Sequence, residues 1–170
     1  EIIKNLPEDK EEKIAVSISH KHLIFEIADK RIISRRLEGE FLNYKSAIPA
    51  QFTFAVNIEK RTFAASIESA ALLVSPTIRI PIHCNFDFGT VKISTATNMG
   101  KFYDEFPTEP FQTSMEIGFN HRYMLDALAA CEEDEVRLEL GNPKTPIVIK
   151  PKEGEDFIFL VLPMRLTGNE

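Results

Sequence analysis

The 170-residue sequence has no tryptophan, only two cysteines and only seven glycines, and these shortages exclude several classes of protein. The cysteines, Cys84 and Cys131, are too few for a disulfide framework, and their apolar neighbours predict reduced core thiols, as in a cytosolic protein. The glycines form no phosphate-binding loop. No apolar run reaches the roughly 18 residues that cross a bilayer, so we expect no membrane association.

Groups that could perform chemistry are equally scarce. His20 and His22 lie two apart and His83 precedes Cys84, but no second pair has the spacing that would complete a zinc site. Neither cysteine has a partner set suited to nucleophilic catalysis. The acidic run 132–135 enters a predicted strand, where adjacent carboxylates point to opposite faces. We therefore expect no metal, no cofactor and no enzymatic activity.

Positive charge is also in short supply, because 20 basic residues face 26 acidic ones and give a net charge of -6. Residues 1–48 hold nine of each sign, so the remainder carries the whole excess. This balance argues against tight, sequence-specific DNA binding, which needs a basic surface. It allows a protein that surrounds DNA loosely.

The sequence does contain a strong alternation of apolar and polar residues, which predicts strands. Residues 14–18, 23–27 and 31–35 are predicted strands with short connections, which indicates an antiparallel meander. The opening residues 1–6 are typical of the last turns of a helix, so we expect the chain to be a fragment of a longer protein. The irregular stretch that follows Gly39 predicts a domain boundary, with domains at 1–49 and 50–170.

Residues 50–170 contain the same pattern twice. Each copy has a strand, an asparagine that should cap a helix, and further strands. The asparagines, Asn57 and Asn120, lie 63 residues apart, and their helices should end near Leu73 and Cys131. The predicted strands are 52–56, 78–82, 86–88, 90–95, 114–119, 135–140, 146–150 and 157–162, and residues 102–106 are predicted to be a strand or a loop. The pattern predicts an α+β fold of duplicated β-α-β-β-β units, with antiparallel sheets and helices on one face.

Three ordered segments then resemble one family. Residues 160–166 (LVLPMRL) resemble the C-terminal signature of bacterial sliding clamps, the DNA polymerase III beta subunits. Residues 116–126 resemble the last strand-to-helix junction of that family, and residues 37–44 resemble the crossover before its third domain. The resemblance implies the DNA clamp fold, with 50–170 as the complete third (C-terminal) domain and 1–49 as the C-terminal half of the second.

The same resemblance implies a DNA polymerase processivity factor. The full-length protein would close a homodimer ring around duplex DNA without reading sequence. It would tether the DNA polymerase III alpha subunit, the clamp loader and other proteins through clamp-motif peptides, in the cytoplasm and associated with the nucleoid. The alternative from the residues alone is a stand-alone peptide-binding adaptor module.

Partner peptides of the family dock in a hydrophobic pocket. The matching residues here are Leu42, Ser46, Ala47, Asn120, Tyr123, Pro146, Leu160, Leu162, Pro163, Met164, Arg165 and Leu166. Ordinary core packing is the alternative for Leu160 and Leu162, since leucine is usually buried. Leu42, Ser46 and Ala47 differ from the residues that many members carry, so the pocket is expected to have its own shape.

Two smaller sets also follow from the resemblance. Candidates to face DNA are the helix cations Lys4, Lys60, Arg61 and Arg122, for which a solvated helix face is the alternative. Leu72 and Leu73 match positions at the ring interface, and simple burial is their alternative.

Overall fold

A computed structural model describes residues 2–8, 13–75 and 80–166, and the chain divides into two compact units. The first unit is Glu1–Asn43 and the second is Tyr44–Glu170. Neither helix among the described residues is long and apolar enough to cross a membrane.

The first unit contains a three-stranded antiparallel meander. Its strands are β1 (Ala15–Ile18), β2 (His22–Ile27) and β3 (Lys30–Arg35), in the order β1-β2-β3. The predicted meander is confirmed. Residues Ile3–Asn5 form a single 3-10 turn, and Glu1 lies outside the described residues.

The second unit contains two helices and nine strands among its described residues. The helices are α1 (Lys60–Ala71) and α2 (His121–Ala129). The strands are β4 (Phe54–Glu59), β5 (Ile82–Asp87), β6 (Thr90–Thr97), β7 (Gly100–Pro107), β8 (Ser114–Phe119), β9 (Glu135–Leu140), β10 (Ile147–Pro151), β11 (Phe159–Val161) and β12 (Pro163–Met164). The predicted succession of strand, helix and strands, given twice, is confirmed.

The strands form two antiparallel sheets. Each sheet contains strands from both halves of the unit, the first half being β4 to β7 with α1 and the second being β8 to β12 with α2. The orders are β11-β10-β9-β4 and β12-β8-β5-β6-β7. The leading strand of each half therefore pairs in the sheet of the other half: β4 lies on β9, and β8 lies on β5. The two helices pack against each other, and α1 also contacts strands β4 to β7.

The two helices begin differently. The Asn120 side chain caps α2, since its Oδ1 accepts a hydrogen bond of 2.9 Å from the Arg122 backbone N–H, as predicted. The prediction that Asn57 caps α1 is wrong. Asn57 lies within β4 opposite Arg137, because pairing with β9 extends that strand to Glu59. The first N–H of α1, that of Lys60, donates instead to the Asp134 carbonyl at 2.8 Å.

Three predicted strands differ from the observed ones. The predicted strand 86–88 is the end of a longer strand, β5 (Ile82–Asp87), and Phe88 lies outside it. Of the predicted strand 78–82, Ile78 and Arg79 lie outside the described residues, and the observed strand β5 begins at Ile82. The predicted strand 157–162 is observed as β11, after which the chain crosses at Leu162 to the other sheet as β12. This crossing shapes the candidate site.

The core of the second unit fills the space between the helices and the two sheets. Phe63 on α1 is fully buried and lies edge-on to Phe106 and Phe119, with ring centroids 6.3 Å away in both cases. Cys84 and Cys131 are free and buried, so the prediction of core thiols is confirmed. Burial raises the pKa of the Cys84 thiol well above its usual value, which keeps that thiol protonated and unreactive.

One charged cluster lies on the face of β9 and β10 that points away from the helices. The Glu139 carboxylate is almost completely buried, with 7% of its side chain exposed. It accepts from Arg137 Nε at 3.2 Å and lies 3.0 Å from Lys150 Nζ. The carboxylate thus has two cationic partners, as a buried charge requires.

Candidate functional site

The candidate site surrounds the place where the chain crosses from one sheet to the other. Pro163 of β12 pairs with Phe119, and Met164 pairs with Gly118. A Cβ atom on Gly118 would lie only 2.5 Å from Leu166 Cδ2 and 2.9 Å from the Met164 carbonyl oxygen. Because real Cβ atoms do not approach other atoms so closely, the glycine is what lets β12 lie against β8.

The crossing leaves a surface cleft beside α2, which we call the Tyr123 cleft. Its volume is about 240 Å³. The Tyr123 side chain is 64% exposed and Leu162 is 68% exposed, so large apolar groups lie at the surface of the cleft. Its lining is Asn120, Tyr123, Leu160, Val161, Leu162, Pro163 and Met164. All but Val161 were predicted from the sequence.

A second cleft, which we call the Arg165 cleft, also borders β12. Its volume is about 600 Å³. Pro163 and Met164 line both clefts, so β12 borders each of them. The lining is Gly118, Pro143, Lys144, Pro163, Met164, Arg165 and Leu166. Lys144 and Arg165 give this cleft a positive charge that the Tyr123 cleft lacks.

Local structure decides which leucines are available to a ligand. In β11 the core residue is Val161, which is 2% exposed, while Leu160 is half-buried and Leu162 is exposed. The alternation of the strand therefore directs Val161 to the interior and leaves its two neighbours at the cleft. Asn120 is held in place by its cap bond to α2, so its side chain is fixed beside the cleft.

Four of the predicted pocket residues line neither cleft. Pro146 is half-buried just before β10, and Leu42 lies in the first unit with 74% of its surface exposed. Ser46 and Ala47 are exposed at a 3-10 turn, where the Ala47 N–H donates to the Tyr44 carbonyl at 3.0 Å. The structure therefore brings together eight of the twelve predicted residues.

Sequence reasoning missed several lining residues. Gly118 had a usable signal, since a glycine inside a strand often marks a close approach of another backbone. Val161 could have been inferred from its position between the two leucines. Pro143 and Lys144 carry no comparable signal, because their place at the cleft depends on how the loop before β10 folds.

The predicted DNA-facing cations have different surroundings. Arg61 and Arg122 are exposed in the first turns of the two helices, and Lys4 is exposed on the 3-10 turn of the first unit. Lys60 is half-buried, and its ammonium donates to the Cys131 carbonyl at 2.7 Å. Lys60 therefore holds the start of α1 against the end of α2.

The predicted interface residues follow the end of α1. Leu72 is 81% exposed, whereas Leu73 is half-buried. Leu73 lines another cleft of about 400 Å³, together with Met99, which is 75% exposed.

One residue that is next to the lining of the Tyr123 cleft in sequence has a shifted pKa. The pKa of His121, the first residue of α2, is lowered by burial and then by the charge of Arg122. Within 2–8, 13–75 and 80–166, no group of three or more His, Cys, Asp or Glu side chains could hold a metal ion. The Tyr123 cleft is lined mainly by apolar side chains, with Asn120 as a fixed polar group, and this is the usual composition of a ligand-binding site.

Comparison with known proteins agrees with this architecture. Residues 45–165 match the model of the family described as the DNA polymerase III beta subunit, C-terminal domain. The beta sliding clamp of Staphylococcus aureus is 28% identical over 165 residues, which is 96% of this chain and 44% of that protein. The chain thus spans less than half the length of the curated relatives that it matches.

Solved structures have the same fold. A protein from Eubacterium rectale assigned as a DNA polymerase III beta subunit is 31% identical, with a TM-score of 0.79, over 93% of this chain and 43% of its own. The DNA polymerase sliding clamp of Bacillus subtilis has a TM-score of 0.80 and 23% identity, over 94% of this chain and 43% of its own.

Proposed function

Because the chain belongs to the DNA polymerase III beta subunit family, through its C-terminal domain, we propose that it is part of a sliding clamp that holds replication proteins on DNA. Residues 50–170 would be the third domain, and residues 1–49 the C-terminal half of the second. The family match to 45–165 and the division of the chain after Asn43 support two domains, with a boundary near residues 43–45 that is slightly earlier than the predicted one at 49. In the whole protein, two copies would form the ring around duplex DNA.

The Tyr123 cleft is the observation that carries the proposal. It presents an aromatic ring and leucine side chains to solvent, and Asn120 is fixed beside them by its cap bond. A short linear peptide with large apolar side chains would bury those groups, while a polar side chain could orient its backbone. Met164, which is unbranched, can adapt to different peptides.

The partners of the whole protein follow from this role. The DNA polymerase III alpha subunit, the clamp loader and other proteins would dock through such peptides, and the protein would perform no covalent chemistry. The exposed Arg61 and Arg122 would contact DNA phosphates without reading sequence, as a sliding ring requires. Leu72, exposed at the end of α1, would meet the second copy. The protein would work in the cytoplasm, at the nucleoid.

The test measures peptide binding by fluorescence anisotropy. The probe is a labelled peptide with one glutamine and two large apolar residues. We expect saturable binding to the chain, and a loss of about tenfold in affinity for Tyr123→Ala, since a buried aromatic anchor contributes more than about 1 kcal/mol.

The matched control is Tyr103→Ala. Tyr103 lies on β7 and is 61% exposed, close to the 64% of Tyr123, but it lines neither cleft. Equal losses in the two variants would show that binding is not at the Tyr123 cleft. Absence of binding to the unchanged chain would contradict the proposal and favour an adaptor with other ligands.

A further inference from the structure

The first unit has a cleft of about 380 Å³ at the end of its sheet where β1 turns into β2. We call it the basic cleft. Its lining is His20, Lys21, Arg35, Arg36, Leu37, Glu38 and Gly39. None of these residues has a part in the proposed docking of peptides, and none lies on a helix that would face DNA.

The basic cleft has a fixed framework. Ser19 closes the turn, since its N–H donates to the His22 carbonyl at 2.8 Å and its Oγ accepts from the His22 N–H at 3.0 Å. The Arg36 backbone N–H donates to the Lys21 carbonyl at 2.8 Å, and its guanidinium donates to the Ser19 carbonyl at 3.0 Å. The Arg36 side chain is therefore oriented before any ligand arrives, which lowers the entropy lost on binding.

The two ends of the sheet in the first unit differ in how their charges are paired. At the far end of the sheet, the Glu26 carboxylate is paired with Arg31, whose Nη2 lies 2.6 Å away. The basic cleft has only one carboxylate in its lining, that of Glu38, which lies 3.9 Å from Arg35 Nη2. Both members of that pair are 81% exposed, so water and salt weaken the attraction. The three permanent cations therefore outnumber a single weakly held carboxylate.

An anion with several charges is the ligand that fits. Guanidinium groups match phosphate oxygens in geometry, and a lysine adds a point charge. A peptide would need apolar pockets for its side chains, but the one apolar side chain in the lining, Leu37, is 98% exposed. In a chain with a net charge of -6, such a local excess of positive charge selects where a polyanion can approach.

We propose that the basic cleft binds phosphate groups of a nucleic acid backbone. The inference rests on the proposed function only in that a clamp is held beside DNA. The contact would lie at the end of a sheet and not on a helix, and it would hold DNA without reading its sequence.

The experiment uses nuclear magnetic resonance of the 15N-labelled 170-residue chain at low salt. A short DNA duplex is titrated in one series and inorganic pyrophosphate in another. We expect the backbone amides of the basic cleft to shift saturably with the duplex. Lys21→Ala/Arg35→Ala should remove these shifts at the same duplex concentration. In a separate measurement of the affinity for the duplex at several salt concentrations, the same variant should lower the slope of log affinity against log salt by about 1.8, as for two lost phosphate contacts.

The control variant, Lys13→Ala/Lys101→Ala, removes the same charge at exposed positions outside the basic cleft. It should keep the shifts. Shifts with pyrophosphate but not with the duplex would assign the site to free phosphate and overturn the nucleic acid proposal. Equal losses in both variants, or no shifts in the cleft with either ligand, would also overturn it.

A parallel variant separates this inference from the proposed function. If the duplex shifts only amides of α1 and α2, and Arg61→Ala/Arg122→Ala abolishes those shifts, the basic cleft is not a phosphate site but the clamp role stands. Peptide docking at the Tyr123 cleft uses none of the same residues, so its result is independent.

Discussion

Replacing Gly118 by alanine should lower the stability of the second unit only moderately, but it should change the shape of both clefts. The new Cβ would lie 2.5 Å from Leu166 Cδ2, a side-chain atom that can rotate away. It would also lie 2.9 Å from the Met164 carbonyl oxygen, a backbone atom that can retreat only if β12 moves off β8. Since β12 borders both the Tyr123 cleft and the Arg165 cleft, its movement should alter both.

The magnitude follows from two opposing effects. Overpacking costs about 1 to 3 kcal/mol. Alanine restricts the unfolded chain relative to glycine, which offsets about 0.4 to 1 kcal/mol. We expect Gly118→Ala to lower the free energy of unfolding by about 1 to 2 kcal/mol, or about 3 to 8 °C in Tm for a domain of this size. The loss is bounded because only the two-residue strand β12 has to shift.

Two assays test the reasoning about Gly118. Calorimetry measures the change in Tm, and fluorescence anisotropy measures the affinity for the docking peptide. The affinity should fall by far more than the small loss of unfolding free energy alone would cause. Adding Leu166→Ala removes a side-chain contact that rotation already relieves and leaves the clash with the Met164 carbonyl, so it should recover little of the stability and little of the binding. Full recovery of both in the double variant would refute the argument that the backbone of β12 is displaced.

Two further predictions concern charged groups. Glu139→Gln leaves Arg137 and Lys150 without their carboxylate, so we expect a loss of about 1 to 2 kcal/mol in urea denaturation. This loss lies at the low end of the range for hydrogen bonds to charged groups, because both cations are partly exposed. An unchanged urea midpoint in the variant would contradict the prediction. The pKa of His121 is lowered in the folded chain, first by burial and then by Arg122, so the unfolded chain binds a proton at higher pH. Stability should therefore fall as pH drops through the ordinary histidine value of about 6.5, and His121→Gln should reduce that fall; the same pH dependence in the variant would exclude His121 as its source.

The sequence predicted much of the secondary structure where local signals were strong. The bounds of β8 and β9 match the prediction, since both alternate clearly, and the Asn120 cap is confirmed. Asn57 misled the prediction because its propensity for a helix start was overridden by pairing with Arg137 across the sheet. Periodicity identifies a strand but not its neighbour, so the exchange of β4 and β8 between the halves could not be predicted.

The candidate site was predictable to a similar extent. The residues before and within β12 come from one continuous segment, so a sequence pattern could identify Leu162 and Met164 together. The Arg165 cleft also needs Lys144 from a separate loop, and local sequence gives no distance between that loop and β12. Leu42 lies in the other unit and remains a prediction from the resemblance alone.

The exchange of leading strands has a consequence for how such a domain could arise. The first half of the second unit, taken alone, would contain β4 without β9 and β5 without β8. One edge of β4 and one edge of β5 would then lack a hydrogen-bonded partner strand. A second identical half could fill both ladders by reciprocal exchange, as in a symmetric domain-swapped dimer. The linker at 108–113 joins what would otherwise be two such subunits, so association no longer depends on their concentration. The repeat is in this sense a dimer within a single chain.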